Sequence, residues 1–89
     1  MNYRIEWTAS AHDRLEQIWM AADDNRAVLN AAGRIDYLLA HDPSRDDVIA
    51  LGDERTFIIE PLAVDFEIVE EKRTVIILNA WMIGYIDRP

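Results

Sequence analysis

The stretch that decides the fold is 61–78, which reads PLAVDFEIVEEKRTVIIL. In its first half apolar residues occupy every second position, an alternation typical of a strand with one buried face: Leu62, Val64, Phe66 and Ile68. The charged triplet at 70–72 predicts a hairpin turn, and residues 73–83 then form a strand that is apolar on both faces. We therefore predict an antiparallel hairpin whose last strand lies inside the sheet.

Two further strands are predicted outside this hairpin. Residues 55–60, RTFIIE, form a strand that Pro61 ends, and residues 2–7 alternate so that Tyr3, Ile5 and Trp7 share one face. The segment 44–54 is dense in charge and contains a Gly-Asp turn signal, so we predict a loop there.

Two amphipathic helices are predicted between the first strand and this loop. Thr8 or Ser10 caps the first helix, whose stripe is Ala11, Leu15, Ile18, Trp19 and Ala22. The run at 23–25 ends it and caps the second, whose stripe is Val28, Ala31, Ile35, Leu38 and Leu39. Gly33 in the second helix predicts a tight contact.

The order β-α-α-β-β-β predicts a two-layer α+β fold and a single domain over residues 1–89. An N-terminal strand and a three-stranded antiparallel meander join in one sheet, and an antiparallel helical hairpin packs against it.

The charge of the chain is strongly acidic and unevenly distributed. The net charge is −8, and residues 42–71 alone hold ten acidic side chains against Arg45 and Arg55. Strong nucleic-acid binding is not expected, because neutralising phosphates requires a basic surface. The acidic segment is either a solvated surface or a docking face for a basic protein.

Composition also limits cofactors and location. The chain has no cysteine, and no apolar run approaches the roughly 18 residues of a membrane span, so we predict no membrane association and a cytoplasmic location. His12 and Glu16 lie four residues apart on the first helix and are interpreted as a surface pair. No metal and no cofactor are predicted.

Four features of the sequence form a recognisable set: WTASAHDRLEQIW at 7–19, AAGRIDYLLAHDP at 31–43, Arg55, and the Pro-Leu-x-Val-x-aromatic-x-Ile run that begins at Pro61. Together they resemble the RelE/ParE superfamily of toxins from type II toxin–antitoxin modules. The resemblance implies a bacterial toxin, of the type also associated with plasmid stabilisation, that a cognate antitoxin neutralises. Its implied targets are the ribosome, where RelE-like members cleave mRNA, and DNA gyrase, which ParE-like members inhibit.

The resemblance also indicates where functional residues are expected. RNA-cleaving relatives place basic residues on the last strands, whereas this chain has Ala63 and Met82 at two such positions. The remaining catalytic candidates are Arg55, Arg73 and Trp81. Pairing with Glu60, Asp65 or Glu67 in the sheet would explain Arg55 equally well. The candidates for partner binding are the apolar residues at the end of the last strand and just beyond it: Trp81, Met82, Ile83 and Tyr85.

Two functions from different classes follow from these residues. The first is a toxin that acts through protein contacts, or through an altered ribonuclease site. The second is a catalytically inert member of the fold that serves as a protein-binding module or a homodimer. At the end of the last strand, Trp81 and Ile83 either contact a partner or pack on the helices.

Overall fold

The computed structural model describes residues 2–83 and confirms the two-layer α+β fold. A single 3₁₀ turn at Glu70–Lys72 forms the predicted hairpin turn. The other elements, in chain order, are β1 (Arg4–Trp7), α1 (Ala9–Ala21), α2 (Asn25–His41), β2 (Ile49–Leu51), β3 (Glu54–Ile59), β4 (Leu62–Val69) and β5 (Thr74–Met82).

The strands form one five-stranded sheet in the order β1-β5-β4-β3-β2. β3, β4 and β5 form the predicted antiparallel meander, and β1 pairs with β5 in parallel, so that Ile5 lies opposite Val75 and Trp7 opposite Ile77. β5 therefore lies inside the sheet, as its apolar residues on both faces predict.

The strand β2 is the one element of the sheet that the sequence does not predict. It lies in the segment interpreted as a loop and pairs antiparallel with β3, with Ile49 opposite Thr56. All three of its residues are exposed. So short an edge strand offers no period-2 pattern to read, and the surrounding charges mask it.

The helices begin where the capping residues predict. Thr8 accepts a hydrogen bond from the backbone N–H of Ala11 at 3.1 Å, and Asp24 accepts one from Ala27 at 3.1 Å. These bonds satisfy backbone donors that the first turn of a helix leaves without partners.

Two predictions within the helices are wrong. Trp19 is 38% exposed and does not belong to the apolar stripe, because Ile18 beside it takes the position that faces the core. Gly33 makes no tight contact, since a Cβ built on it would meet no atom within 4 Å. It lies on the exposed side of α2, where its cost to the helix has no packing explanation.

The core lies between the helical hairpin and one face of the sheet. Its largest fully buried side chains are Phe57, Phe66, Ile35, Leu39, Leu62, Ile77, Val28, Val64 and Val75. The indole N–H of Trp7 donates to Asp36 on α2 at 2.9 Å and joins β1 to the helices.

A bulge in β5 sets the orientation of its last residues. Phe66 pairs with Ile77 and Asp65 pairs with Asn79, so Leu78 has no register partner in β4. An extra residue of this kind bends the strand and increases its twist. Beyond it, Ala80 faces the core opposite Val64, while Trp81 lies on the outer face of the sheet.

No helix within residues 2–83 is long and apolar enough to span a membrane.

Candidate protein-binding groove

The end of β5 lies where the sheet loses one of its neighbours. β1 ends opposite Ile77, so the part of β5 from 79 to 82 pairs only with β4 among the described residues. On the other side the chain passes through Thr8 into α1, which lies alongside β5. The Ala80 N–H is satisfied locally, since it donates to the side-chain oxygen of Asn79 at 2.9 Å.

A depression of about 380 Å³ runs between α1 and the end of β5. Its α1 side consists of residues three and four apart, which share one helix face. We call it the apolar arm, and it is lined by Arg14, Gln17, Ile18, Ala21, Trp81 and Met82.

A second cleft of about 480 Å³ continues from the first, because Ala21 and Met82 line both. It lies between the α1–α2 turn and the β3–β4 turn. We call it the acidic arm, and it is lined by Ala21, Ala22, Asp23, Asp24, Ala27, Val28, Glu60, Pro61 and Met82. Together the two arms form the β5-end groove.

Trp81 is half-buried at the side of this groove. It pairs with Ala63, which pairs in turn with Ile58, and Ala63 is only 1% exposed. We infer that the two larger side chains cover Ala63 on the outer face. Neither Trp81 nor Ile83 belongs to the hydrophobic core or to the partly buried side chains that pack against it. Both side chains therefore lie outside the core, and Trp81 lines the apolar arm together with residues of α1.

Met82 is exposed at 36%, and Ile83 is half-buried, with its N–H donating to the carbonyl of Pro61 at 2.9 Å. A methionine next to a tryptophan on a protein surface is well suited to contact a partner, because its flexible thioether adapts to varied shapes. Tyr85, the fourth partner-binding candidate, lies outside the described residues.

Arg55 lies on β3, at some distance from the groove. It is half-buried, pairs with Phe66 across the sheet and alternates with Phe57, so it lies on the helix-facing side. The ion pairs within residues 2–83 join other residues, Arg4 to Glu6 and Arg45 to Asp47. An ion pair within the sheet does not explain Arg55.

Arg73 lies at the opposite end of β5 from the groove. It adopts the left-handed conformation at φ 44° that closes the hairpin turn, and its guanidinium lies 4.2 Å from the ring centre of Tyr3. The Tyr3 hydroxyl donates to Glu70 at 2.8 Å, and this bond raises the pKa of Tyr3, while Arg73 opposes the rise. These contacts join the turn to the N-terminus of the chain.

The structure therefore does not bring the three catalytic candidates together. Arg73 and Trp81 are eight residues apart on an extended strand, which is about 26 Å. Arg55 lies on the face of the sheet opposite Trp81. A phosphoryl transfer site requires several cations around one phosphate, and residues 2–83 do not assemble such a cluster from these side chains.

One group of side chains offers atoms that bind metals. Ligand atoms of His12, Asp13 and Glu16 lie within 4.8 Å of one another, and all three residues are exposed. They belong to the first two turns of α1, where the positive end of the helix dipole opposes a cation.

The sequence does not predict the acidic arm. Its local pattern assigns Asp23 and Asp24 to a helix break and cap, and Glu60 to the end of a strand. The three carboxylates meet in one cleft only because the α1–α2 turn and the β3–β4 turn lie at the same end of the molecule. The α1 side of the apolar arm is visible in the sequence, because Gln17, Ile18 and Ala21 recur at helical spacing and therefore share one face.

Comparison with solved structures identifies the class of protein that has this fold. A chain of the toxin–antitoxin complex RelBE2 from Mycobacterium tuberculosis has a TM-score of 0.77 at 17% identity, over 92% of both chains. The archaeal RelE-RelB complex from Pyrococcus horikoshii gives 0.66 at 19% identity, over 97% of this chain and 100% of that one. The chromosomal ParDE system of P. aeruginosa gives 0.61 at 16% identity, over 92% and 97%.

The protein therefore has the fold of the RelE/ParE toxins, as its sequence resemblance predicts. No protein-family model matches the chain, and no curated protein matches it in sequence.

Proposed function

We propose that this chain is the toxin component of a bacterial toxin–antitoxin module and that a cognate antitoxin holds it inactive. The observation that carries the proposal is the likeness to the RelBE2 toxin–antitoxin structure over 92% of both chains. At 17% identity the likeness establishes the fold alone. The groove at the end of β5 supports the further proposal that the chain acts as a toxin by binding proteins.

We further propose that the toxin acts through protein contacts at the β5-end groove. Cleavage of RNA requires cations that stabilise the charge on the reacting phosphate. The groove instead contains one arginine, Arg14, and three carboxylates, and its most exposed strand residue is Met82. Arg55 and Arg73 both lie outside the groove.

The groove has the composition of a protein interface. A half-exposed tryptophan beside a methionine, with Ile18 and Ala21 of α1 on the other side, resembles the buried centre of a protein contact. The antitoxin and the cellular target would then compete for Trp81, so that neutralisation is direct occlusion.

Expression of the gene alone in a bacterial host tests the toxin proposal. We expect growth arrest after induction, and co-expression of the product of an adjacent small reading frame should relieve it. Trp81→Ala should abolish the arrest, whereas Trp19→Ala should not, because Trp19 is an exposed tryptophan that does not line the groove. Normal growth at verified expression of the folded wild type would disprove toxicity.

The target follows from a second pair of assays. DNA gyrase is the protein target that the resemblance names, so we expect the purified chain to inhibit gyrase supercoiling and to leave mRNA intact on translating ribosomes. Ribosome-dependent mRNA cleavage without gyrase inhibition would reverse this assignment.

A second candidate is an inert member of the fold that binds proteins or forms a homodimer. The partly exposed Trp81–Met82 surface also favours this function, since an apolar contact needs no toxicity. Sedimentation of the purified chain separates the two candidates. A dimer that Trp81→Ala dissociates, together with normal growth on induction, would support the inert module.

A further inference from the structure

The acidic arm of the groove has a charge that no cation among its lining residues compensates. Asp23 and Asp24 come from the α1–α2 turn, Glu60 comes from the β3–β4 turn, and no lysine or arginine among residues 2–83 lines the cleft. The two ion pairs within residues 2–83 lie elsewhere. One oxygen of Asp24 caps α2, but the carboxylate keeps its charge.

The rest of the lining of the same cleft is apolar. Its lining residues other than the three carboxylates are Ala21, Ala22, Ala27, Val28, Pro61 and Met82. Val28 is fully buried and Met82 is exposed. A metal ion would find few ligands in such a cleft, because hard cations require six or more oxygen atoms around them.

A long basic side chain combines the two properties that this cleft demands. The methylene stem of lysine or arginine packs on apolar surface, while its cationic head remains at the polar rim. Arginine in particular forms paired hydrogen bonds with carboxylates.

The cleft is also continuous with the apolar arm. Ala21 and Met82 line both, so one bound segment can reach both. We propose that the partner carries a lysine or arginine that enters the acidic arm, on a segment whose neighbouring apolar residue contacts Trp81. The partner segment is thus basic and apolar. This inference rests on the proposed role of the groove as a protein-binding site.

A second copy of this chain fits the groove less well. The chain has a net charge of −8, and a symmetric dimer would bring two acidic arms close together. Juxtaposed like charges at an interface are unfavourable. The complementary charge points to a different, basic chain.

The test uses short peptides as probes and amide NMR spectra of the wild-type chain. The first probe is a peptide amide with arginine between two leucines, and the second has glutamate in place of the arginine. We expect the arginine peptide to give saturable shifts at residues of the groove, and the glutamate peptide to bind at least about tenfold more weakly.

Two matched variants decide whether the acidic arm is responsible. The groove variant is Asp23→Asn with Asp24→Asn and Glu60→Gln, in which asparagine at 24 still caps α2. The control variant, Asp53→Asn with Glu67→Gln and Glu71→Gln, removes the same charge from residues that do not line the groove. We expect the groove variant to lose about tenfold in affinity for the arginine peptide and the control variant to retain it.

Three results would overturn the inference: equal losses in both variants, shifts spread over the acidic surface, or no binding of the arginine peptide to the wild type. Growth arrest is scored separately on the same variants. Arrest by the wild type without arginine-peptide binding would leave the toxin proposal intact and disprove this inference. Binding of the arginine peptide without growth arrest would support this inference and disprove the toxin proposal.

Discussion

The two halves of β5 have similar apolar sequences and very different surroundings. In the first half, Thr74–Ile77, the strand lies between β1 and β4, and Val75 and Ile77 are fully buried. In the second half, 79–82, only β4 remains as a strand neighbour, and Trp81 and Met82 line the groove. The bulge at Leu78 separates the halves.

The difference shows that hydrophobicity alone does not tell a core residue from a contact residue. The hydrophobic effect favours removal of apolar surface from water, whatever covers that surface. In the first half the covering elements are β1, β4 and the helices. In the second half the described chain provides α1 and β4 and leaves an open groove, which is where we propose that a partner binds.

The largest expected effect is a loss of stability from a substitution in the first half of β5. Ile77→Ala removes a fully buried side chain and should lower the free energy of unfolding by about 3 kcal/mol. Met82→Ala, in the second half, should cost less than about 1 kcal/mol, because Met82 is exposed. Urea unfolding of the two variants measures both values. Similar losses would show that the two halves do not differ as the structure indicates.

The second prediction concerns binding through the other half. Trp81→Ala should weaken binding of the partner by at least about 2 kcal/mol, or about 30-fold, as expected for a central aromatic contact. Its unfolding free energy should fall by no more than about 1 kcal/mol, because Trp81 lies outside the core. Titration calorimetry with the antitoxin gives the first value and urea unfolding the second. A large loss of stability with unchanged binding would make Trp81 a packing residue.

The sequence predicts the first half of β5 much better than the second. Alternation at 61–68 and the apolar run after the turn define the hairpin, because the period of two follows from strand geometry. The caps at Thr8 and Asp24 follow equally from local chemistry. These features depend on residues close together in the chain.

The groove depends on contacts that no local pattern contains. Asp23 and Glu60 are far apart in sequence and line the same cleft only because of the topology of the fold. Likewise, α1 lies beside β5 because the preceding strand, β1, pairs with β5 in parallel. Trp19 was misplaced because an apolar stripe has edges that periodicity does not resolve. Gly33 was misread because a glycine in a helix does not always mark a close contact.

A third, smaller effect is expected at the boundary of the two halves. The side-chain oxygen of Asn79 accepts a hydrogen bond from the backbone N–H of Ala80. This N–H points away from β4, toward the side of β5 where β1 has already ended. Asn79→Ala leaves that donor without its partner and should cost about 1 kcal/mol. Hydrogen exchange should show faster exchange at Ala80 and unchanged protection at Val75. Unchanged exchange at Ala80 would show that the bond does not stabilise this edge.

The smallest effect concerns a polar contact of the packed half. Burial raises the pKa of Asp36, and the hydrogen bond from Trp7, which lies opposite Ile77, opposes that rise. Because the pKa of Asp36 in the folded state lies above the unfolded value of 3.8, the contribution of this group to the free energy of unfolding is fully present below pH 3.8. It is lost as the pH rises through the folded pKa.

Asp36→Asn keeps an oxygen for the Trp7 indole and removes this loss. At pH 7 the variant should therefore be more stable than the wild type by on the order of 0.5 kcal/mol, a small value because Asp36 is only half-buried. The difference should vanish near pH 3, where Asp36 is protonated in both the folded and unfolded states. Thermal unfolding of both proteins across this range measures it. The opposite result is that the variant loses stability relative to the wild type as the pH rises from 3 to 7. It would mean that ionisation strengthens the hydrogen bond from Trp7 by more than the burial of the charge costs.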